Sequence, residues 1–298
     1  MSEQTINRRQ SQDRWIEDLH WQALRSAELG SALCKCEGHY HSIWSTLRAV
    51  GIVRGLKTEL PLLESVLAPL LKDGTKLLIA GAADPGLFAA IGQISGSCSP
   101  AVTILDQCRA PLQLIHEFAD AKGVSCRTLH RDILDLDGSE RWDKIFLHYT
   151  TDFVEHAHRR KFFERLMISL EPDGKLICVA KTNQRGVATE EAQLESAFFA
   201  NAKGAISDSS LNPFLQNGRF EGMLRAYAKA ATARRLRMTA ARKLTSLLAS
   251  SGFAIAEEHT TQRESVSRRD PDVKESMFGG SVDVTIIVAE PDADNRFH

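Results

Sequence analysis

The chain has 298 residues, of which 43% are hydrophobic and 25% charged, and its formal net charge is −1 at pH 7. This balance is typical of a soluble globular protein and gives no electrostatic reason to expect nucleic acid or an anionic membrane as a partner. No apolar run approaches the roughly 20 residues that a membrane-spanning helix requires, and residues 1–14 lack the apolar core of a signal peptide. The six cysteines are scattered, so we expect reduced thiols and a cytoplasmic protein.

Residues 1–60 are predicted to form a helical N-terminal cap. A first helix is expected from Asp13, where apolar residues recur at four-residue steps, and a second over residues 42–50. A third helix opens near Pro61, because proline suits the first turn of a helix. Short helices are marginal on their own, so the cap must pack against the rest of the chain.

Four residues of metal-binding types lie between the first two predicted helices: Cys34, Cys36, His39 and His41. The C-x-C and H-x-H pairs are tighter than the separations of about two to four and three to five residues that structural zinc sites use. We therefore predict a helix-connecting loop and no metal. Contact with a substrate through His39, Tyr40 or His41 stays open as an alternative.

The stretch 76–86 organises the rest of the sequence. Residues 77–80 have the length and flanks of a buried parallel strand that stops at Gly81. A helix is predicted to follow at once, with Asp84 as its cap and Pro85 at its first position. The turn carries no Lys or Arg but does carry Asp84, so it favours a ligand with an ammonium and a sulfonium over a diphosphate. The alternative is that Asp84 serves only as the cap.

Strands and helices alternate after this turn. Further strands are predicted over residues 101–105, 124–129, 142–147 and 175–180, the last preceded by a turn at 172–174. Single helices between strands predict a parallel, doubly wound α/β sheet with right-handed crossovers. The last two strands are predicted over 253–257 and 282–289, with 259–275 as a loop.

Residues 181–240 interrupt the alternation with two helical patterns, over 190–200 and 220–231. An insertion that follows the carboxyl end of a strand lies over the crevice of such a sheet, so it is placed to act as a lid. Basic residues in and after the second pattern are interpreted as a solvated helix face, with an anion site as the alternative. They are Arg219, Arg225, Lys229, Arg234, Arg235 and Arg237.

Over roughly residues 60–290, five stretches in order resemble the motifs of class I S-adenosylmethionine-dependent methyltransferases. They are the glycine turn 78–86, Asp106 after the second strand, residues 132–134 after the third, the stretch 169–177, and residues 247–253 before the sixth strand. The resemblance implies a Rossmann-like sheet of seven strands, the last inserted antiparallel beside the fifth. It implies a methyltransferase domain over 61–298 that includes a helical lid insertion, 181–240.

The resemblance also implies an enzyme that transfers a methyl group from S-adenosylmethionine to a small-molecule acceptor. It places Asp106 on the ribose hydroxyls of the cofactor and frames the adenine with the 132–134 stretch. The cofactor-binding residues that we predict are Gly81, Ala82, Asp84, Gly86, Asp106, Gln107, Asp132, Ile133 and His148. The turn departs from the family pattern at Ile79, which takes the place of an acid, and at Ala83, which takes the place of a glycine. These departures leave open a relative that binds the cofactor without transferring methyl groups.

Acceptor-side residues are expected at the ends of the fourth and fifth strands. His148 is the candidate general base, because imidazole exchanges a proton near neutral pH, and Tyr149 and Asp152 are placed to orient it or the acceptor. The alternative for His148 is a ring that packs against the cofactor. Two other functions remain: a nicotinamide-dependent oxidoreductase, since an acid after the second strand also suits a ribose, and a non-catalytic S-adenosylmethionine-binding protein. We expect no nucleic-acid or membrane partner and leave a homodimer open.

Overall fold

The computed structural model describes residues 19–53, 56, 59–185, 191–215, 218–236, 239–263 and 281–292. Its strands are β1 (Lys76–Ala80), β2 (Ala101–Asp106), β3 (Arg127–His130), β4 (Trp142–His148), β5 (Leu170–Arg185), β6 (Phe253–Arg263) and β7 (Ser281–Pro291). They form one sheet in the order β3-β2-β1-β4-β5-β7-β6. Strands β1 to β5 pair in parallel, whereas β7 is antiparallel to both β5 and β6. The predicted seven-stranded Rossmann-like sheet, with an antiparallel last strand beside the fifth, is confirmed.

Helices lie on both faces of the sheet and beyond the carboxyl ends of its strands. They are α1 (Leu19–Leu33), α2 (Tyr40–Ala49), α3 (Leu60–Leu67), α4 (Gly86–Ser95), α5 (Arg109–Lys122), α6 (Arg159–Ile168), α7 (Glu191–Ser207), α8 (Asn212–Leu215), α9 (Gly218–Leu236) and α10 (Ala241–Ser250). The helices predicted over 42–50, near Pro61 and within the insertion are confirmed. The start predicted at Asp13 for the first helix lies outside the described residues.

The central strands are buried on both faces, which explains their continuous apolar sequence. Along β1, Leu77 and Ile79 join a cluster formed with α3, α4 and α5. The alternating residues Leu78 and Ala80 join a second cluster on the opposite face, formed with α6 and α10. The carboxyl ends of β1, β2 and β4 are therefore held by two packed layers, and they form a rigid edge for a site.

A third cluster joins the N-terminal helices to the insertion. It contains Ala23 and Ile43 from α1 and α2 together with Phe198 from α7 and Leu224 from α9. Gly38, with φ of +67°, lies close against α9, since a Cβ there would lie 2.6 Å from Ala230 Cβ. The predicted cap and the predicted lid thus pack on each other and share one apolar core.

Several strand boundaries differ from the prediction, and β5 runs to Arg185, into the start of the insertion predicted over 181–240. Trp142 pairs with Leu170 but Lys144 pairs with Lys175, so the turn predicted at 172–174 is a bulge within β5. Strand β6 continues to Arg263, through part of the loop predicted over 259–275, because its backbone pairs with β7. Polar side chains are compatible with this strand because it lies at the edge of the sheet. Strand β3 begins at Arg127, later than predicted.

Across the part of the chain that the structure describes, every helix is too short or too polar to cross a lipid bilayer.

Candidate functional site

The glycine turn leaves β1 through a conformation that favours glycine. Gly81 has φ of +87°, and a Cβ there would lie 2.8 Å from Cγ2 of Thr150. Thr150, which follows β4, donates its hydroxyl to the carbonyl oxygen of Ala80 at 2.8 Å. The turn is therefore fastened to the end of β4 where the strand order reverses, and open α/β sheets bind their ligands at this switch point.

Asp84 binds the first amide of α4, although Pro85 and not Asp84 takes the N-cap position, and the Asp84 carboxylate is not open to a ligand. Its Oδ1 accepts the backbone N–H of Gly86 at 2.7 Å and lies 3.0 Å from Nη1 of Arg48, with both side chains deeply buried. The hydroxyl of Ser45 lies 3.5 Å from its Oδ2. Because α2 brings a guanidinium onto the turn, Asp84 is already paired, and the preference for an ammonium predicted from the residues of the turn alone is wrong.

Asp106 ends β2 and binds two backbone amides. Its Oδ2 accepts from Ala82 N at 3.0 Å, and its Oδ1 accepts from Cys108 N at 2.7 Å. Burial raises the pKa of this carboxyl, against the opposing effects of His41 and the two amides. Each carboxylate oxygen can accept about two hydrogen bonds, so capacity remains for the hydroxyls of a ribose. The same carboxylate fixes the position of the turn.

The structure brings Gln107, Asp132 and Ile133 to the edge beside Asp106. Gln107 directly follows Asp106, and its carbonyl oxygen accepts from His130 Nε2 at 3.1 Å. Asp132 Oδ1 accepts the backbone N–H of Leu134 at 2.9 Å and caps a single helical turn, Ile133–Asp135. Ile133 is half-buried and packs against the apolar cluster on the α6 face. An acid and an apolar residue therefore lie at the end of β3, next to the predicted ribose site.

His148 ends β4 and pairs with a carboxylate that sequence reasoning did not assign. Its Nε2 lies 2.9 Å from Oε2 of Glu59, which precedes α3, and both side chains are mostly buried. A carboxylate oxygen accepts, so Nε2 carries the proton and Nδ1 is the nitrogen that can accept one. Tyr149 has a left-handed backbone, with φ of +59°, and its ring centroid lies 4.2 Å from that of His148.

Asp152 follows the end of β4 in the short helical segment Thr150–Phe153 and is half-buried. Burial raises the pKa of its carboxyl, and the opposing charges come from Lys181, Arg159 and Arg234. Lys181 also lies over the ring of Tyr149, with its Nζ 4.6 Å from the centroid. The three predicted acceptor-side residues are therefore neighbours in space, and their roles stay predictions.

The basic face of α9 is not uniformly solvated. The guanidinium of Arg234 is buried and lies 5.3 Å from the ring centroid of Tyr40, 4.8 Å from that of Phe153 and 5.6 Å from that of Tyr227. The interpretation of Arg234 as part of a solvated face is wrong, because three aromatic faces attract its charge. By contrast, Arg225 is exposed and pairs with Glu221. Arg234 links the insertion, the N-terminal helices and the segment after β4.

The cysteines and histidines of the first loop are regrouped by the fold. His39 is exposed and lies outside the group, whereas Cys34, Cys36 and His41 meet Cys108 from the start of α5. The four ligand atoms, three sulfurs and one imidazole nitrogen, all lie within 4.8 Å of one another. No spacing in the sequence connects Cys108 to this loop, because only the packing of α1 on α5 brings them together.

Arg48 and Glu59 were also missed by sequence reasoning. Both lie in the region predicted as a cap, and neither matches a motif. The available signal was charge among apolar residues: Arg48 follows Ile43 and Leu47 on a buried helix, and Glu59 directly precedes the apolar helix α3. Buried charged residues need partners, so each indicated a contact with another part of the chain.

No protein-family model matches the sequence. Among curated proteins, the carboxy-S-adenosyl-L-methionine synthase of Wolinella succinogenes is 30% identical over 111 residues. That alignment covers 37% of this chain and 46% of the relative, so the chain spans less than half of the curated relative that it matches.

Among solved structures, the fold is similar to that of the phosphoethanolamine N-methyltransferase 2 of Haemonchus contortus, solved with phosphomonomethylethanolamine and S-adenosylhomocysteine. The TM-score is 0.53 at 12% identity, with 84% of this chain and 57% of that chain covered. The N-methyltransferase NodS of Bradyrhizobium japonicum, solved with S-adenosylhomocysteine, gives a TM-score of 0.45 at 15% identity, with 78% and 84% covered.

Proposed function

We propose that this chain is a class I S-adenosylmethionine-dependent methyltransferase that acts on a small-molecule acceptor. Its fold is the fold of that class. The observation that carries the proposal is the antiparallel β7 between β5 and β6. Dinucleotide-binding sheets have the order 3-2-1-4-5-6 without this inserted strand. Because fold alone does not fix function, the site residues must supply the rest of the argument.

The cofactor seat that we propose is the crevice beyond β1, β2 and β4. Asp106 would accept the two ribose hydroxyls, since its oxygens keep lone pairs beyond those that bind Ala82 and Cys108. Gln107, Asp132 and Ile133 would border the adenine at the neighbouring strand ends. Gly81, Ala82 and Gly86 are proposed to present the backbone of the turn to the methionine portion. A Cβ at Gly81 would clash with Thr150 and displace this turn. Asp84 has a positioning role here, because its carboxylate is committed to Gly86 and Arg48.

S-Adenosylmethionine would supply an electrophilic methyl group on a sulfonium, so the protein's task is to position the acceptor and to remove its proton where it carries one. His148 is the proposed base. With Nε2 donating to Glu59, the imidazole is held in one orientation and its Nδ1 is the atom that takes the proton. Positioning can supply much of the acceleration of an in-line displacement. Tyr149 and Asp152 lie beside this imidazole and would orient the acceptor.

A small acceptor is favoured by what covers the crevice. The N-terminal helices and the insertion share a core, and Arg234 with its surrounding rings joins them to the end of β4. Such an enclosure excludes water and suits a ligand with only a few polar groups. All six cysteines lie among the described residues, and none is in a disulfide; a reducing, cytoplasmic location is part of the proposal.

Calorimetric titration tests the proposal with the purified chain. S-Adenosylmethionine and S-adenosylhomocysteine are each expected to bind, and NADH is not. The Asp106→Asn variant is expected to bind both nucleosides more weakly. Glu28→Gln, on the exposed side of α1, is the control, and its affinity for both nucleosides should be unchanged. Tight binding of NADH with no binding of either nucleoside would support the oxidoreductase alternative instead.

A methyl-transfer assay distinguishes between an enzyme and a non-catalytic S-adenosylmethionine-binding protein. A panel of small hydroxyl, amine and thiol acceptors is incubated with the radiolabelled cofactor, and the label is followed into product. Incorporation that depends on His148 supports the proposal. Tight binding of the nucleosides with no acceptor methylated would favour the binding protein.

A further inference from the structure

Four potential metal ligands converge beside the crevice, and the proposed methyl transfer uses none of them. Cys34 and Cys36 follow α1, His41 lies in the first turn of α2, and Cys108 precedes α5. Their ligand atoms all lie within 4.8 Å of one another. The ligands thus come from two segments that are far apart in the sequence. The ion pair of Arg25 in α1 with Glu117 in α5, at 2.7 Å, helps to hold these segments together.

The separations suit a tetrahedral ion. With Zn–S distances of about 2.3 Å and a Zn–N distance of about 2.0–2.1 Å, a tetrahedron has edges of about 3.6 Å from sulfur to nitrogen and about 3.8 Å between sulfurs. The Sγ of Cys34 lies 3.6 Å from Nδ1 of His41. The limit of 4.8 Å for the other pairs means that small side-chain rotations bring every ligand onto one centre.

The histidine presents the correct nitrogen. Its Nε2 lies 3.1 Å from the carbonyl oxygen of Ala82, which can only accept, so Nε2 carries the proton. Nδ1 therefore keeps its lone pair and faces Cys34. Metal-binding histidines commonly donate their second N–H to a carbonyl or carboxylate in this way, which fixes the ring.

The surroundings are those of a closed, structural site. Cys34, His41 and Cys108 are 8%, 6% and 4% exposed, and Cys36 is half-buried. Leu29, Ala110 and Leu114 form the apolar wall around the thiols, together with the half-buried Trp21. Four protein ligands leave no open position for a water or a substrate. Thiolate and imidazole together select zinc over hard cations such as Mg²⁺.

We propose that Cys34, Cys36, His41 and Cys108 bind one Zn²⁺ ion that fastens the N-terminal helices to the sheet. On binding, the three thiols release their protons to solvent and coordinate as thiolates, and His41 coordinates through neutral Nδ1. The ion also organises the crevice, because His41 holds the carbonyl of Ala82 and the amide of Cys108 binds Asp106. The prediction of no metal, which followed from local spacing alone, did not include Cys108.

Metal content tests this proposal without any cofactor, so its failure is distinguishable from failure of the proposed function. The full chain is purified under reducing conditions from zinc-replete medium, and its metals are quantified by plasma mass spectrometry. About one zinc per chain is expected for a site with four protein ligands. The Cys36→Ser and Cys108→Ser variants should each lose most of it. Cys126→Ser is the matched control, since Cys126 is half-buried like Cys36 and lies outside the cluster.

Two further measurements keep the result independent of misfolding. Far-ultraviolet circular dichroism shows whether Cys36→Ser, the variant at the most exposed of the four ligands, retains its helices. Replacement of zinc by Co²⁺ should give thiolate-to-cobalt charge transfer and the intense visible bands of a tetrahedral site, in the wild type and in Cys126→Ser but not in Cys36→Ser. A folded Cys36→Ser that keeps its zinc would overturn the proposal. So would a wild-type chain that holds no zinc after reconstitution, that carries an iron–sulfur cluster, or that forms a disulfide between two of these cysteines.

Discussion

The buried ion pair between Arg48 and Asp84 is expected to dominate the attachment of α2 to the glycine turn. The Arg48→Met variant keeps most of the apolar stem of the side chain and removes its charge, which leaves Asp84 buried without a counter-ion. Nη1 and Oδ1 are 3.0 Å apart, and the side chains are 6% and 4% exposed. At an effective dielectric constant of about 20, the Coulomb energy of such a pair is about 5.5 kcal/mol. Removal of one partner of a buried pair costs about 3–5 kcal/mol in other proteins.

We therefore expect Arg48→Met to lower the free energy of unfolding by about 3–5 kcal/mol. Asp84→Asn removes the charge but keeps an oxygen that can accept from Gly86, so the double variant Arg48→Met/Asp84→Asn should recover about 1–3 kcal/mol of this loss. Urea unfolding followed by circular dichroism measures all three variants by linear extrapolation.

The matched control is Arg225→Met, since Arg225 pairs with Glu221 at 3.6 Å on an exposed surface. Exposed pairs contribute about 0–1 kcal/mol, so this variant should unfold almost as the wild type does. If Arg48→Met costs no more than Arg225→Met, or if Asp84→Asn gives no rescue, the assignment of a buried, energetically coupled pair is refuted.

Three other predictions concern the crevice. Asp106→Asn should raise the dissociation constant of S-adenosylhomocysteine about tenfold or more, because hydrogen bonds to a charged acceptor contribute about 1.5–3 kcal/mol; unchanged affinity by calorimetry would remove the ribose assignment. His148→Ala should lower kcat about a hundredfold, as expected for loss of a general base, and Glu59→Gln should lower kcat less. Both variants should bind the nucleosides with little change in affinity. If the His148→Ala variant and the wild type have equal rates in single-turnover assays, His148 is not a base and positioning is the whole mechanism. Gly81→Ala should destabilise the fold by about 2–4 kcal/mol, from its positive φ and the contact with Thr150, and an unaltered melting temperature would contradict the tight turn.

The sequence was sufficient for the sheet because its signal there is local. Residues 77–80 are apolar without alternation because both faces of β1 are covered, and Asp84 binds the first amide of α4, two residues away. Such features depend on neighbours in the chain, so periodicity and capping rules reveal them. The order of the strands followed from the resemblance, and the structure confirms it.

The candidate site could be predicted only in part from the sequence, because its contacts join residues that are far apart in the chain. Arg48 contacts Asp84, which is 36 positions away in the sequence, and Glu59 contacts His148, which is 89 positions away. Cys108 lies more than 60 positions from the other members of its cluster. No local pattern encodes the packing that brings these residues together. The electrostatics of the turn were misjudged because its own residues carry only Asp84, whereas the compensating charge comes from α2. Similarly, a C-x-C pair looks too tight for zinc until Cys108 and His41 complete the set.

A crystal structure with bound S-adenosylhomocysteine would show where the cofactor lies. We expect the nucleoside beyond β1 and β2, with its ribose hydroxyls hydrogen-bonded to Asp106 and its sulfur directed toward His148. A nucleoside bound elsewhere, or a crevice that takes up NADH from a mixture of the two and leaves S-adenosylhomocysteine in solution, would contradict this expectation.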